Sequence, residues 1–166
     1  MRIPRRLDPV FAALILIALI ATGVYLSRNE ETVAGLAAVI DGDSIRVAGL
    51  EVRLAGVDAP ELRQTCRAEG RDYPCGEAAR RALDAFVGGK VVACRLDGRD
   101  RYGRRLGACE RAGEDIGAAL VRSGHAVAYG RYGPEEALAR KGKLGLWAGS
   151  FEAPSAWRQT HVDERS

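Results

Sequence analysis

Three short strand patterns follow one another in residues 36–57, which read LAAVIDGDSIRVAGLEVRLAGV. Asp41-Gly42 separates the first pattern from the second, and Ala48-Gly49 separates the second from the third. Such dipeptides are typical of the tight turns that join neighbouring strands. The predicted strands cover residues 36–40, 44–48 and 50–57. This stretch therefore predicts a meander of short, twisted strands.

The residues that follow extend the meander into a mixed domain. A helix is predicted from Gly76 to Phe86, where small and apolar residues recur at helical spacing. The remaining predicted elements are strands at 90–96 and 105–110 around a turn at 97–104, and helices at 114–123 and 134–142. Five short strands with about three packed helices indicate an α+β domain, built on a five-stranded OB-fold barrel.

The charge balance excludes one class of nucleic-acid-binding protein. The chain has 166 residues, with 25 Lys and Arg against 22 Asp and Glu, a net charge of +3. The first 26 residues hold three of the arginines and one aspartate, so the rest carries 22 basic and 21 acidic side chains. A histone-like protein that binds through bulk charge is excluded. Any polyanion would be bound by locally clustered arginines.

The N-terminal segment is apolar. Residues 10–26, VFAALILIALIATGVYL, contain no charge and follow Arg2, Arg5 and Arg6. As a helix they would be about 25 Å long, slightly less than a hydrocarbon core of about 30 Å. They predict either an uncleaved transmembrane signal anchor, which the apolar run to Leu26 favours, or a cleaved signal peptide. Both interpretations place the rest of the chain outside the cytoplasm, in the periplasm or the extracellular space.

The predicted boundaries divide the chain into four parts. They are the signal anchor or signal peptide at 1–26, a polar linker at 27–35, the barrel domain at 36–148 and a loosely structured tail at 149–166. The barrel domain contains four cysteines without a Cys-x-x-Cys motif, and their spacing matches zinc sites poorly. Because export favours disulfides, we predict Cys66–Cys75 within one loop and Cys94–Cys109 across a hairpin. The alternative is that Cys94 and Cys109 are free core residues.

Acidic residues lie beside two of the predicted strands. Asp41-Gly42-Asp43 forms the first turn, and Asp58-Ala59-Pro60-Glu61 follows the third strand. Each motif alone is more often a turn or a set of solvated charges. Together, the Asp43 and Asp58 carboxylates and the Ala59 carbonyl offer an all-oxygen site, which favours Ca²⁺ or Mg²⁺ over zinc. Glu61 would orient or deprotonate a water molecule.

Arginines complete the predicted site. Arg53 lies on the third strand, and Arg101, Tyr102 and Arg104 lie at the tip of the later hairpin. Arg53 and Arg104, on separate strands, could bind one phosphate with forked hydrogen bonds. Phosphodiester hydrolysis gains negative charge in its transition state, which a divalent cation and two arginines neutralise. The residues therefore predict metal-assisted phosphodiester hydrolysis.

Three motifs resemble those of the staphylococcal-nuclease-like (thermonuclease) family. They are Val39-Ile40-Asp41-Gly42-Asp43-Ser44, Arg53-Leu54-x-x-Val57-Asp58-x-Pro60-Glu61 and Asp100-Arg101-Tyr102-Gly103-Arg104. The similarity covers residues 36–148 in the same order and with compatible spacing. It implies an OB-type barrel and Ca²⁺-dependent cleavage of DNA and RNA.

The resemblance also implies a role for each matching residue. The implied Ca²⁺ ligands are Asp43, Asp58 and the Ala59 carbonyl, and the implied catalytic residues are Arg53, Glu61 and Arg104. Tyr102 would contact a phosphate with Arg101 beside it, and Tyr132 or Tyr129 would flank the base. Ala59 replaces a threonine of the family, whose backbone oxygen is the atom used.

The sequence thus predicts an exported, membrane-anchored endonuclease with one Ca²⁺, DNA or RNA as substrate and no protein partner. The chain is expected to be a monomer. The alternative is a catalytically inactive OB-fold module that binds nucleic acid or protein.

Overall fold

The computed structural model describes residues 9–27 and 31–161. The chain divides into two compact units, one up to Glu31 and one from Thr32 onward. In the first, helix α1 spans Pro9–Ser27. Among the described residues, no helix combines the length and apolar character needed to cross a membrane. The expected transmembrane helix is therefore not shown, and the basic residues expected to flank it lie outside the described residues.

The second unit combines short strands with helices. The strands are β1 Glu31–Val39, β2 Ser44–Val47, β3 Leu50–Leu54, β4 Val57–Asp58, β5 Cys66–Ala68, β6 Arg71–Tyr73, β7 Val91–Arg99, β8 Arg105–Arg111, β9 Glu114–Asp115, β10 Val127–Ala128 and β11 Gly149–Ser150. The helices are α2 Cys75–Val87, α3 Ile116–Arg122, α4 Gly133–Gly142, a 3₁₀ helix at Gly145–Ala148 and α5 Pro154–Thr160.

Five of the strands close into a barrel. β1, β2 and β3 pair antiparallel in succession, and β7 pairs antiparallel with β8. β1 lies beside β7, and the parallel pairing of β3 with β8 closes the ring. Closure leaves the barrel strands without a free edge. The predicted five-stranded OB-fold barrel of the α+β class is confirmed.

The hydrophobic core fills the barrel and the space beneath α2 and α3. Alternate residues of β2 and β3 point inward, as the pleat of a strand requires. The buried side chains of these strands are Ile45, Val47, Val52 and Leu54. The helices contribute Leu83 and Val87 from α2 and Ile116 and Leu120 from α3. Both predicted disulfides are present, and Cys94–Cys109 joins two residues that face each other on β7 and β8.

Several element boundaries differ from the prediction. β1 begins at Glu31, so residues 31–35 are not linker: they extend the strand, and Val33 packs against the core. The third strand ends at Leu54 instead of reaching residue 57, because Gly56 has a left-handed backbone with φ of +81°. β7 continues to Arg99, which shortens the hairpin turn to residues 100–104.

Residues 149–161 of the predicted tail form defined elements, which differs from the prediction of a loose segment, and residues 162–166 lie outside the described residues. β11 pairs with β5, and α5 follows at Pro154–Thr160. Leu146 and Phe151 pack around the Cys66–Cys75 disulfide, and Pro154 is fully buried. The disulfide-closed loop therefore provides the surface on which this tail packs.

Candidate active site

A cavity of about 1500 Å³ opens at one end of the barrel. The turn between β1 and β2, the residues that follow β3, the tip of the β7–β8 hairpin and helix α5 line it. All six residues predicted to bind metal or to act in catalysis lie in its wall; they are Asp43, Arg53, Asp58, Ala59, Glu61 and Arg104. The fold thus brings together motifs from three separate parts of the chain.

Asp43 lies at the bottom of this cavity and is 3% exposed. The turn that carries it is tight, because the Asp41 carboxylate accepts a hydrogen bond of 3.0 Å from the Asp43 backbone N–H. Gly42 must be small here, since a Cβ at this position would collide with the side chain of Ala59. Burial raises the pKa of Asp43 to about 7, against the opposing charge of Arg53.

Arg53 connects the two candidate metal ligands. Its Nη1 donates to Asp43 Oδ1 at 2.9 Å, and its Nη2 lies 2.7 Å from Asp43 Oδ2. The same Nη2 donates to Asp58 Oδ1 at 3.0 Å. Because both carboxylates contact one nitrogen atom, Asp43 and Asp58 are close enough to share a single positive centre. The register of β2 and β3, with Ser44 opposite Arg53, produces this arrangement.

Asp58 and Glu61 lie on the segment that follows β3. Asp58 is 4% exposed and lies on β4, which pairs with β10. Glu61 is partly exposed. The Glu61 backbone N–H donates a hydrogen bond of 3.2 Å to the side chain of Gln64, which is fully buried. The Gln64 amide in turn donates to the Glu152 carbonyl at 2.7 Å, which ties this loop to the segment before α5.

Arg104 approaches the cavity from the β7–β8 hairpin. Its Nε donates to Asp100 Oδ2 at 2.8 Å, and the same carboxylate accepts from the Arg104 backbone N–H. Burial is the strongest single influence and lowers the pKa of Arg104, but the hydrogen bond and charge of Asp100 and the nearby charges of Asp43 and Asp41 together raise it above its ordinary value. Asp100 thus fixes the position of the Arg104 guanidinium, which lines the cavity.

The three tyrosines of the prediction divide into two groups. Tyr102 and Tyr129 line the cavity and are 61% and 72% exposed. Tyr132 does not line this cavity: its hydroxyl donates to the Asp115 carboxylate at 3.0 Å, and its ring packs against the core. Burial, followed by the bond to Asp115, raises the pKa of Tyr132 to about 12. Of the two tyrosines predicted as alternatives to flank the base, only Tyr129 lines the cavity, while Asp115, the N-cap of α3, binds Tyr132.

Arg158, on α5, also contacts the carboxylates and was missed from the sequence. Its Nη1 donates to Asp58 Oδ1 and to Glu61 Oε1, each at 2.9 Å. Its Nη2 donates to Asp58 Oδ2, also at 2.9 Å. The only local signal was Pro154, a favoured first residue of a helix. Nothing in residues 154–160 indicates that this helix packs beside the barrel.

The donor atoms fit a hard divalent cation. Asp43 and Asp58 supply carboxylate oxygens, and Ala59, the predicted carbonyl ligand, lines the same cavity. Across residues 9–27 and 31–161, no three His, Cys, Asp or Glu side chains form a metal cluster, so the candidate set rests on two carboxylates and one backbone oxygen. Oxygen-only ligands suit Ca²⁺ or Mg²⁺, and the shared contact with Arg53 shows that both carboxylates face one position.

Comparison with known proteins gives the family. Residues 51–149 match the family described as Staphylococcal nuclease homologue. The chain belongs to this family. A succinoglycan biosynthesis protein ExoI of Rhizobium meliloti is 41% identical over 81% of this chain and 75% of its own length.

Two further relatives have names that refer to nucleases. An uncharacterized endonuclease of Escherichia coli O157:H7 is 34% identical over 72% of this chain and 80% of its own length. A probable staphylococcal-like nuclease CAN2 of Oryza sativa is 32% identical over 74% of this chain but 33% of its own length.

The family match covers only part of the site. The matched residues of this staphylococcal nuclease homologue include Arg53, Asp58, Glu61 and Arg104. Asp43 precedes the matched range, and Arg158 follows it. Asp43 and Arg158 therefore lie beyond the match, one on each side of it, as do other residues that line the cavity, namely Asp41, Gly42, Ser155 and Gln159.

Proposed function

We propose that this protein is an exported endonuclease that hydrolyses phosphodiester bonds of DNA and RNA with the help of bound Ca²⁺. The observation that carries the proposal is the contact of Arg53 Nη2 with both Asp43 and Asp58. It places a guanidinium and two candidate cation ligands together in the cavity that also contains Glu61 and Arg104. The nuclease names of the relatives from Escherichia coli and Oryza sativa support the same chemistry.

Different residues of the cavity would have different roles in the reaction. Asp43, Asp58 and the Ala59 carbonyl would hold the cation, which supplies positive charge to the phosphate and lowers the pKa of a bound water. Arg104 would donate from its terminal nitrogens to the non-bridging oxygens of the phosphate, and those bonds strengthen as charge develops.

Glu61 would remove a proton from the attacking water. Its carboxylate is partly exposed, and the hydrogen bonds of Gln64 fix the position of its backbone. Arg53 holds Asp43 and Asp58 in place while its positive charge faces the phosphate.

Tyr102 and Tyr129 are suited to a single-stranded substrate. Both rings are exposed at the cavity, and stacking of a base on an aromatic side chain does not depend on the base identity. A single strand presents its bases for stacking, whereas a duplex does not. We therefore expect single-stranded DNA and RNA to be cleaved faster than duplexes.

The test is a nuclease assay on the purified full-length protein. Circular single-stranded DNA and RNA are incubated with Ca²⁺, with Mg²⁺ and with a chelator, and Arg53→Ala serves as the inactive control. Linearisation of the circle only with Ca²⁺ supports a Ca²⁺-dependent endonuclease. Absence of cleavage with every divalent ion, together with retained DNA binding, would favour the catalytically inactive OB-fold module.

Export is supported by the two disulfides, because such bonds persist in oxidising compartments. Cell fractionation with thiol labelling tests it: the exported protein resists alkylation unless it is first reduced. The intact mass of the exported protein shows whether the N-terminal segment has been cleaved. A fully reduced protein in the cytoplasmic fraction would contradict export.

A further inference from the structure

We infer that Arg158 is an internal counter-ion of the metal site, which competes with the divalent cation for Asp58 and thereby sets the affinity for that cation. This inference rests on the proposed Ca²⁺ site. It concerns a residue that lies beyond the part of the chain matched to the family.

The contacts of Arg158 overlap those expected of the cation. Its two terminal nitrogens each donate at 2.9 Å to a different oxygen of Asp58. Nη1 also donates to Glu61 Oε1 at 2.9 Å. A guanidinium that binds both oxygens of a carboxylate occupies the directions from which a second positive charge would approach. A cation and Arg158 therefore cannot both make their best contacts with Asp58.

Arg53 also contacts Asp58 Oδ1, together with both oxygens of Asp43, but it does so from a different kind of element. It contacts Asp43 and Asp58 from β3, a strand of the closed barrel, and its register opposite Ser44 fixes its backbone. Arg158 instead lies near the end of α5, a helix of seven residues outside the barrel. Of the two arginines, only Arg158 lies on an element outside the closed barrel, so it can move without breaking the pairing of the barrel strands.

The contacts at the start of α5 would confine a displacement of Arg158 to the end of the helix. Pro154 is fully buried at the start of the helix, and the Gln64 side chain binds the preceding Glu152 carbonyl. At the end of the helix, Arg158 contacts Asp58 and Glu61, whereas the stacking of Trp157 on His161, with ring centroids 4.2 Å apart, lies within the helix and its C-cap. Loss of the Arg158 contacts would therefore move the end of α5 and leave its beginning in place.

Calorimetric titration of Ca²⁺ into the full-length protein tests the inference. Arg158→Gln removes the competing charge, so Ca²⁺ should bind about tenfold more tightly or better, because like charges a few ångströms apart repel strongly. Arg158→Lys keeps the charge without the fork and should have an affinity between the two. Arg122→Gln is the matched control: its ion pair with Glu135 lies away from the cavity, so its affinity should equal that of the wild type.

Trp157 provides a second readout that is independent of catalysis. The chain has two tryptophans, so Trp147→Phe leaves Trp157 as the only one. In this background Ca²⁺ should change the Trp157 fluorescence at the concentrations that produce heat in the calorimeter. The change should be much smaller in the double variant that also carries Arg158→Gln.

The outcomes separate this inference from the proposed function. If the protein cleaves nucleic acid and binds Ca²⁺, but Arg158→Gln binds Ca²⁺ no more tightly, only the inference is overturned. Weaker binding in Arg158→Gln would also overturn it, because Arg158 would then position the ligands. If neither protein binds Ca²⁺ nor cleaves nucleic acid, the proposed function is overturned together with the inference.

Discussion

Arg53 binds Asp43 with both of its terminal nitrogens, at 2.9 Å from Nη1 to Oδ1 and 2.7 Å from Nη2 to Oδ2. The Arg53 side chain is 16% exposed and that of Asp43 is 4% exposed, so the pair is largely removed from water. Loss of Arg53 would leave Asp43 buried without its counter-charge, so that Asp43 must either stay charged at a high cost or take up a proton and lose the ion pair. We therefore expect a change at Arg53 to affect both the stability of the protein and the proposed catalysis.

Arg53→Ala should impair both properties. We expect a decrease in the free energy of unfolding of about 3 kcal/mol, because Asp43 remains buried without its partner. We expect kcat to fall by about 10²–10³, because a donor that neutralises transition-state charge is lost. Urea unfolding and single-turnover cleavage measure the two effects. Arg46→Gln, an exposed change on β2, is the control, and wild-type kcat in Arg53→Ala would show that the phosphate site is misassigned.

Arg104→Ala should lower kcat with little change in the free energy of unfolding. Its ion pair with Asp100 is more exposed, at 29% and 14%, and such pairs contribute about 0–1 kcal/mol to stability. The fall in kcat should nevertheless be about 10²–10³, as for other donors to a developing negative charge. The same two assays apply. A large loss of stability with little loss of kcat would assign Arg104 a structural role instead.

The tyrosines should differ in the property that each affects. Tyr132→Phe removes the hydrogen bond to Asp115 and should lower the free energy of unfolding by about 1 kcal/mol, without a change in KM. Tyr129→Ala should raise KM for single-stranded DNA about tenfold, since stacking of a base contributes about 1–3 kcal/mol. Steady-state kinetics and urea unfolding of both variants check this. An unchanged KM in Tyr129→Ala would remove it from the substrate site.

The two disulfides should differ in their effect on activity. Replacement of either cysteine pair by alanine should lower the free energy of unfolding by about 2–4 kcal/mol. Cys66–Cys75 also lies beside Gln64, whose carbonyl accepts a hydrogen bond from the Gly76 backbone N–H and whose side chain binds the Glu61 backbone and the Glu152 carbonyl. The Cys66→Ala/Cys75→Ala variant should therefore lose most of its activity below its melting temperature. Cys94→Ala/Cys109→Ala is the matched control and should retain activity at the same temperature.

His125 should make the protein less stable in mild acid. Burial lowers the pKa of His125 below the ordinary value of 6.5, and apolar residues of α2 and α3 line its surroundings. The unfolded state therefore binds more protons, so the stability contributed by neutral His125 is lost as pH falls below 6.5. Urea unfolding at about pH 7.5 and about pH 5.5 measures the loss. His125→Gln should show a smaller loss, and equal losses in the two proteins would contradict the assignment.

Much of the site could be predicted from local sequence. Asp43 lies in an Asp-Gly turn, and Asp58 and Glu61 follow a strand, so the type and order of these residues already indicated an oxygen-ligand site. The structure places Asp43 and Asp58 within hydrogen-bond distance of one Arg53 nitrogen, as that prediction requires. Tyr132 was assigned to the substrate because motif spacing does not show which of two nearby tyrosines finds a polar partner inside the protein.

The local sequence determined the barrel strands, the two disulfide pairs and the residues whose charges suit a cation and a phosphate. These features depend on alternation, turn residues and spacing, which act between neighbours along the chain. Only the tertiary structure decided that Tyr132 turns inward and that Arg158 contacts Asp58 across 100 positions of the chain. Such contacts depend on which surfaces pack together, and a seven-residue helix beyond the barrel carries no periodic pattern that specifies its partner.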